Sequence, residues 1–379
     1  MSHNVFLFQE LEKEREGRLH EPRTTGIFPS QKIREYIQAG RVRSNTPIED
    51  IQVQPASLDL RLGPKAYRVR ASFLPGRCTV EERIRDLGMT EIDLSGGAVF
   101  EKYCTYIVPL MEELLLPWDI AAKANPKSTT GRLDIFVRLI TDYGTEFEGV
   151  QHGYKGKLYV EVAPRTFSVR VQEGMRLNQL RFVRLHPRPP SIEKIQEEEP
   201  LAYTPDNLPV ESPELISLDL EGGEGISIVG YKAKSHAPLI DLAKVNYYDA
   251  GEFWEPISPT RRIILNPGDF YLLISKEKVS IRPDLAGVMM AIDPSMGEFR
   301  IHYAGFFDPG FGYGLEEGRG TRAVLEVRSH EVPFVIEDGQ TVGRLEYEHL
   351  MDVPDKIYGA GIGSSYQAQG LSLSKQFKR

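Results

Sequence analysis

Three stretches of this chain recur at one fixed separation, and that recurrence constrains the fold more than any other feature. KGKLYVEV (Lys155 to Val162) answers GTRAVLEV (Gly320 to Val327), so that Glu161 and Glu326 stand 165 residues apart. EGMRLNQLRF from Glu173 answers DGQTVGRLEY from Asp338, again 165 residues on. LPWDIAAKANPKSTTGRLDIFV answers IRPDLAGVMMAIDPSMGEFRI, with Asp119 matched to Asp284 at the same spacing. Ser57-Leu-Asp-Leu has an echo in Ser217-Leu-Asp-Leu. Convergence on one spacing means a tandem duplication, and 379 residues suit two domains of ordinary size.

Both copies read as β. Short apolar runs are punctuated by Pro117, Pro126, Gly131, Gly144, Gly149, Gly153 and Gly156, a strand-and-turn rhythm. IFPSQKIREYIQAGRV carries a helix signal, with Ser30 as cap, Ile33, Tyr36 and Ile37 on one face and Gly40 as stop. The segment from there to about Phe100 shows strands and loops and no clear helix. Tyr303 to Val327 reads as a β-hairpin turned at Asp308-Pro309-Gly310, where proline fixes φ and glycine accepts a positive one. Its return strand alternates, Ala323, Leu325 and Val327 against Arg322, Val324, Glu326 and Arg328. Alone, the second face would be a solvated one with Glu326 paired to its arginines. Its recurrence makes the carboxylate a candidate general acid/base. Domain limits follow: an extension over 1–24, a first β domain over 25–186 and a proline-rich, then charged linker over 187–205. A second β domain over 206–350 and a Gly/Ser/Gln-rich tail over 351–379, of lid-like composition, complete the chain.

Composition narrows the function classes. A net charge of -8 argues against a nucleic-acid-coating protein while leaving room for a local basic pocket. The two cysteines, Cys78 and Cys104, offer neither a disulfide framework nor a metal motif, so a reducing cytoplasm is expected. No signal peptide and no membrane-length apolar run is legible, so no membrane partner is expected.

The copies differ where chemistry would sit. Pro126-Lys127-Ser128-Thr129-Thr130-Gly131-Arg132 offers two cations, three hydroxyls and a loosened backbone, which suits a polyphosphate. As an isolated feature it would be an ordinary capped turn. The second copy has Asp293 and Glu298 in place of those cations, which would repel a triphosphate, yet it alone holds the Asp-Pro-Gly turn. Each copy keeps half of a site, so a composite site is expected.

Four motifs in this order, IFPSQKIREYIQAGRV, QPASLDLRLG, PKSTTGR and AGFFDPGF…VLEV, with IYGAGIGSSYQAQG near the end, resemble the deoxycytidine triphosphate deaminases of the trimeric-dUTPase superfamily. The doubled length resembles a tandem form of that family. The resemblance implies two tandem distorted β-barrel, jelly-roll-like (dUTPase-like) domains, mainly β with a few short helices. It also implies homo-oligomers with sites at domain interfaces. Carried over, Lys127, Ser128, Thr129, Thr130, Gly131 and Arg132 bind the triphosphate, with Ser128 and Arg132 also beside the attacking water. Ala304 and Asp308 hold base and sugar, Val324 and Leu325 line the base pocket, and Tyr358 and Gln369 close over the nucleotide. Glu326 shuttles protons, with Glu161 as second candidate. The tail departs from the family at Ser365, where a lysine is common.

The implied reaction is hydrolytic deamination of dCTP to dUTP and ammonia, feeding dUMP and dTTP synthesis. Mg2+ would be bound through the triphosphate and no zinc is expected, since the His-x-Glu and Pro-Cys-x-x-Cys ligand set is missing. Asp308 stands where dUTPases of the superfamily keep a water-activating aspartate. A bifunctional deaminase/dUTP pyrophosphatase or a dUTPase is therefore an alternative, and a non-catalytic nucleotide-binding protein a more distant one.

Overall fold

The computed structural model describes residues 23–185, 189–291, 299–301, 305–315, 319–329, 331–359 and 370–378. Each copy builds two antiparallel sheets, and the pairing order repeats. In copy one Lys155–Pro164 lies between Thr105–Leu115 and Ile135–Thr141. In copy two Thr321–Ser329 lies likewise between Tyr271–Val279 and Phe299–Ile301. In the second sheets Arg176–Arg184 pairs with Ile120–Pro126 and Leu58–Arg61, as Thr341–His349 pairs with Leu285–Ala291 and Leu215–Ser217. The strands correspond but the Ser-Leu-Asp-Leu echo does not superpose: Asp59 pairs with Gln179, whose counterpart Arg344 pairs with Leu215 and not with Asp219. The sheets close into two distorted barrels, mainly β with short helices.

Alternation decides which side chains fill each barrel. Ala323, Leu325 and Val327 point into the copy-two core with Leu273, Ile281 and Leu345. The opposite face is not solvated: Glu326 and Arg328 are buried against copy one. Arg328 forms a buried ion pair with Asp134, its Nε 3.1 Å from Oδ1, and gives Nη1 to the Gly268 carbonyl at 2.6 Å. Ala233, Phe253, Trp254, Phe270 and Phe377 belong to the copy-one core cluster, and Ile240–Asp241 pairs in parallel with Val169–Val171. The copies therefore share apolar core as well as polar contacts.

The structure departs from several expectations. Tyr303 to Val327 is not a hairpin. Phe306–Phe307 pairs with Leu285–Ala291 in one sheet, whereas Thr321–Ser329 lies in the other. The Asp-Pro-Gly turn instead starts a glycine-rich crossing, with Gly310, Gly312, Gly314 and Gly320 all at positive φ. A helix, Val80–Leu87, occupies a region read as strand and loop; Thr79 and Glu82 form its capping box. Ser30 does not cap its helix, and its hydroxyl donates to Asp355. The described parts of 351–379 are docked, with Met351, Ile357, Ser374, Gln376 and Phe377 buried. The segment 187–205 also contributes structure, a helix Ile192–Glu198 and the buried Leu201 and Ala202.

Breaking a buried ion pair strands its partner's charge, so Arg328→Met should cost about 3–5 kcal/mol. Removing the solvent-screened Lys65–Glu91 pair by Lys65→Met should leave stability nearly unchanged. Urea unfolding of both variants measures this; equal losses would deny the seam its role.

Candidate active site

The phosphate-type turn is a single helical turn, Ser128–Gly131, closing the strand Ile120–Pro126. Backbone bonds fix it: Lys127 N–H to Leu177 O at 3.0 Å and Gly131 N–H to Lys127 O at 3.0 Å. Thr130 is buried and spends its hydroxyl on the Leu177 carbonyl at 3.0 Å, which shapes the turn. Ser128 is exposed at the mouth of the site.

Copy two meets this turn at Gly131. A Cβ there would lie 2.5 Å from Glu326 Oε1 and closer still to Oε2, so any side chain there would push the carboxylate out of this position. Glu326 is 6% exposed, and its Oε2 has no hydrogen-bond partner among the described residues. Burial pushes its pKa well above the ordinary glutamate value; Arg132 opposes that rise and Asp134 adds to it. A buried, protonatable carboxylate with a spare oxygen in a cleft has the properties of a proton shuttle.

The cleft beneath it encloses about 70 Å³ and is lined by Lys127, Ser128 and Arg132 of copy one and by Met289, Phe306, Asp308, Val324, Leu325, Glu326 and Tyr358 of copy two. It opens into a groove of about 680 Å³ walled by Lys127 to Thr130, Asp59, Arg176 and Lys375. A slot with apolar walls from Met289, Phe306, Val324 and Leu325, joined to a groove carrying Lys127, Arg176 and Lys375, fits a base joined to a polyphosphate. Asp308 is buried; burial raises its pKa, while Arg181 and then Lys127 hold it down. Arg181 reaches it at 3.4 Å and stacks on Phe306 with its guanidinium 3.9 Å from the ring centroid. Tyr358 donates its N–H to Pro309 O at 2.7 Å and packs on Phe311.

Lys127 to Arg132, Asp308, Val324, Leu325, Glu326 and Tyr358 are thus brought together, whereas Ala304 and Gln369 lie outside the described residues. Glu161 does not join them. It is buried on its own sheet against Arg138, whose Nε lies 3.1 Å from Oε1 and whose guanidinium sits 3.8 Å from the Phe147 ring centroid. Sequence reasoning missed Asp59, which grips Lys127 Nζ at 2.5 Å, and also Arg181, Arg176, Lys375 and Phe306. Asp59 was findable, since it lies in the echoed Ser-Leu-Asp-Leu motif.

The raised pKa has a stability consequence. A carboxyl that holds its proton more tightly when folded contributes fully below the unfolded range. That contribution is lost as pH rises from there toward the folded value. Glu326→Gln escapes the loss, so its melting temperature should gain on the wild type from pH 5 to pH 8. A gap that does not change with pH would contradict the burial argument.

The 2'-deoxycytidine 5'-triphosphate deaminase (DCD) N-terminal domain model matches residues 24–186, and the C-terminal domain model of the same name matches 188–377. A crystal structure of 2'-deoxycytidine 5'-triphosphate deaminase from Agrobacterium tumefaciens is similar at 48% identity and TM-score 0.84, over 90% of this chain and all of that one. A relative from Sulfurihydrogenibium sp. named "dCTP deaminase, dUMP-forming" is 28% identical over 166 residues, 43% of this chain and 86% of its own. A "dCTP deaminase" of Halorubrum lacusprofundi is 31% identical over 146 residues, 37% of this chain and 68% of its own. Among the described residues no helix is long and apolar enough to cross a membrane. With both halves matched in order, the chain belongs to the 2'-deoxycytidine 5'-triphosphate deaminase family.

Proposed function

We propose that this enzyme deaminates dCTP hydrolytically to dUTP and ammonia at one composite site per chain, with Glu326 as general acid/base. The observation that carries the reading is the buried Glu326 carboxylate, its Oε2 unpartnered among the described residues, seated on Gly131 beside Ser128 and Arg132. The protonated Glu326 carboxyl gives its proton to N3 of cytosine, and the carboxylate so formed takes a proton from water as the water oxygen bonds to C4. It then passes that second proton to the exocyclic amine. The C4–N bond breaks, ammonia leaves, and the C4 hydroxyl returns its proton to Glu326 as the carbonyl forms. Arg132 and Ser128 orient the water, and Arg132 steadies the charge on Glu326. Phe306, Val324 and Leu325 hold the base, Asp308 fixes the turn and faces the sugar, and Tyr358 covers it.

The groove offers Lys127, Arg176, Lys375 and the Ser128 and Thr129 hydroxyls beside the half-buried Glu173, and its two buried carboxylates are engaged, Asp59 by Lys127 and Asp308 by Arg181. That donor set fits phosphate oxygens, so Mg2+ would be held by the triphosphate, neutralising its charge. The mechanism is zinc-independent, because the chain's only cysteines, Cys78 and Cys104, form no Cys-x-x-Cys pair.

A second reading, onward hydrolysis to dUMP, is favoured by the "dUMP-forming" names of the Sulfurihydrogenibium and Dictyoglomus thermophilum relatives. Against it, Asp308 is committed to Arg181. Chromatography of dCTP incubations with Mg2+ separates the readings: dUTP should accumulate, without matching pyrophosphate. Glu326→Gln should lose activity by about 10²–10⁴-fold, the range of general acid/base contributions, and Glu161→Gln should stay within a few-fold of wild type. An inactive Glu161→Gln beside an active Glu326→Gln would reverse the assignment.

A further inference from the structure

The C-terminal segment brings one cation, Lys375, into the groove. Residues Leu371 to Lys378 form a strap across the phosphate-type turn. Arg132 Nη1 donates to Ser372 O at 2.7 Å, and Ser374 Oγ donates to Thr129 O at 2.7 Å. Beyond them Asn246 N–H donates to Lys375 O at 2.8 Å and Gln376 Nε2 donates to Leu242 O at 3.1 Å. Phe377 is buried in the copy-one core beside Phe253. Lys375 is therefore pinned by the backbone on both sides, and its side chain enters the large groove.

The electrostatics there are out of balance. Lys375 is half-buried, and its ammonium forms no hydrogen bond or ion pair with any described residue. Burial pushes its pKa down, the neighbouring Lys127 and Arg176 push it further, and only Asp59 resists. Asp59 is shared already, at 2.5 Å from Lys127 and 3.8 Å from Arg176. Three cations thus converge on one carboxylate. A partly desolvated ammonium held against two like charges is costly unless an anion completes the cluster.

Building on the nucleotide reading above, we propose that Lys375 and Arg176 hold the distal phosphates of the nucleoside triphosphate. The triphosphate then bridges the Lys127 turn and the C-terminal strap. The strap accordingly reads phosphate number: it discriminates the triphosphate from the monophosphate and leaves the base slot alone.

Calorimetric titration of the full-length wild type, Lys375→Gln and Lys375→Arg with dUTP, dUMP and inorganic tripolyphosphate, all with Mg2+, tests this. Lys375→Gln should weaken dUTP and tripolyphosphate about tenfold or more, as loss of a charge-assisted bond does, and leave dUMP unchanged. Lys375→Arg should recover most of the loss, and Lys375→Gln without ligand should melt no lower than wild type. Unchanged dUTP and tripolyphosphate binding, or equal weakening of dUTP and dUMP, would overturn the assignment. If wild type binds tripolyphosphate through Lys375 but not dUTP, the anion site stands and the nucleotide reading falls.

Discussion

The contact of the Glu326 carboxylate with the bare backbone of Gly131 is the constraint on which the rest of this structure depends. It requires a strand of the second copy to arrive side-on at a turn of the first, with no side chain between them. The Asp134–Arg328 pair, Arg181 against Asp308 and the apolar patch around Phe253, Trp254 and Phe377 all lie along that junction and hold the two copies in register. The same packing buries the carboxylate. Burial raises the proton affinity of Glu326, and its Oε2 has no hydrogen-bond partner among the described residues.

The duplication has let the copies divide the work. Copy one retains the cationic turn and has closed off its own glutamate, pairing Glu161 with Arg138 on an adjacent strand. Copy two keeps the Glu326 Oε2 unpartnered among the described residues and holds the Asp-Pro-Gly turn. The two Ser-Leu-Asp-Leu segments show the same divergence. Asp59 engages Lys127 of the turn, whereas Asp219 engages Arg322 on the strand that carries Glu326.

How much of this was legible in the sequence depended on how local the signal was. The repeat spacing and the alternation along Arg322 to Arg328 are properties of adjacent residues, and they yielded the tandem β fold and the inward and outward faces. The cation-to-acid difference between the copies pointed to a composite site. The crossing after Asp308 was misread because an Asp-Pro-Gly turn is compatible with a hairpin and with a change of sheet, and the choice is made by distant strands. Thr79 and Glu82 did carry a helix-start signal that was passed over. The docking of Phe377, the reach of Arg181 and the placement of Lys375 arise from contacts over a hundred residues away. A polar, glycine-rich composition conceals such anchoring.

The account stands or falls on there being one working site for two copies. Calorimetric titration of the wild-type chain with dUTP and Mg2+ measures that number directly. A single transition with one nucleotide bound per chain is the predicted result, and Glu326→Gln should show the same stoichiometry. Two nucleotides per chain, or binding that persists at full stoichiometry when the Lys127 to Arg132 turn is disabled by Arg132→Glu, would contradict it.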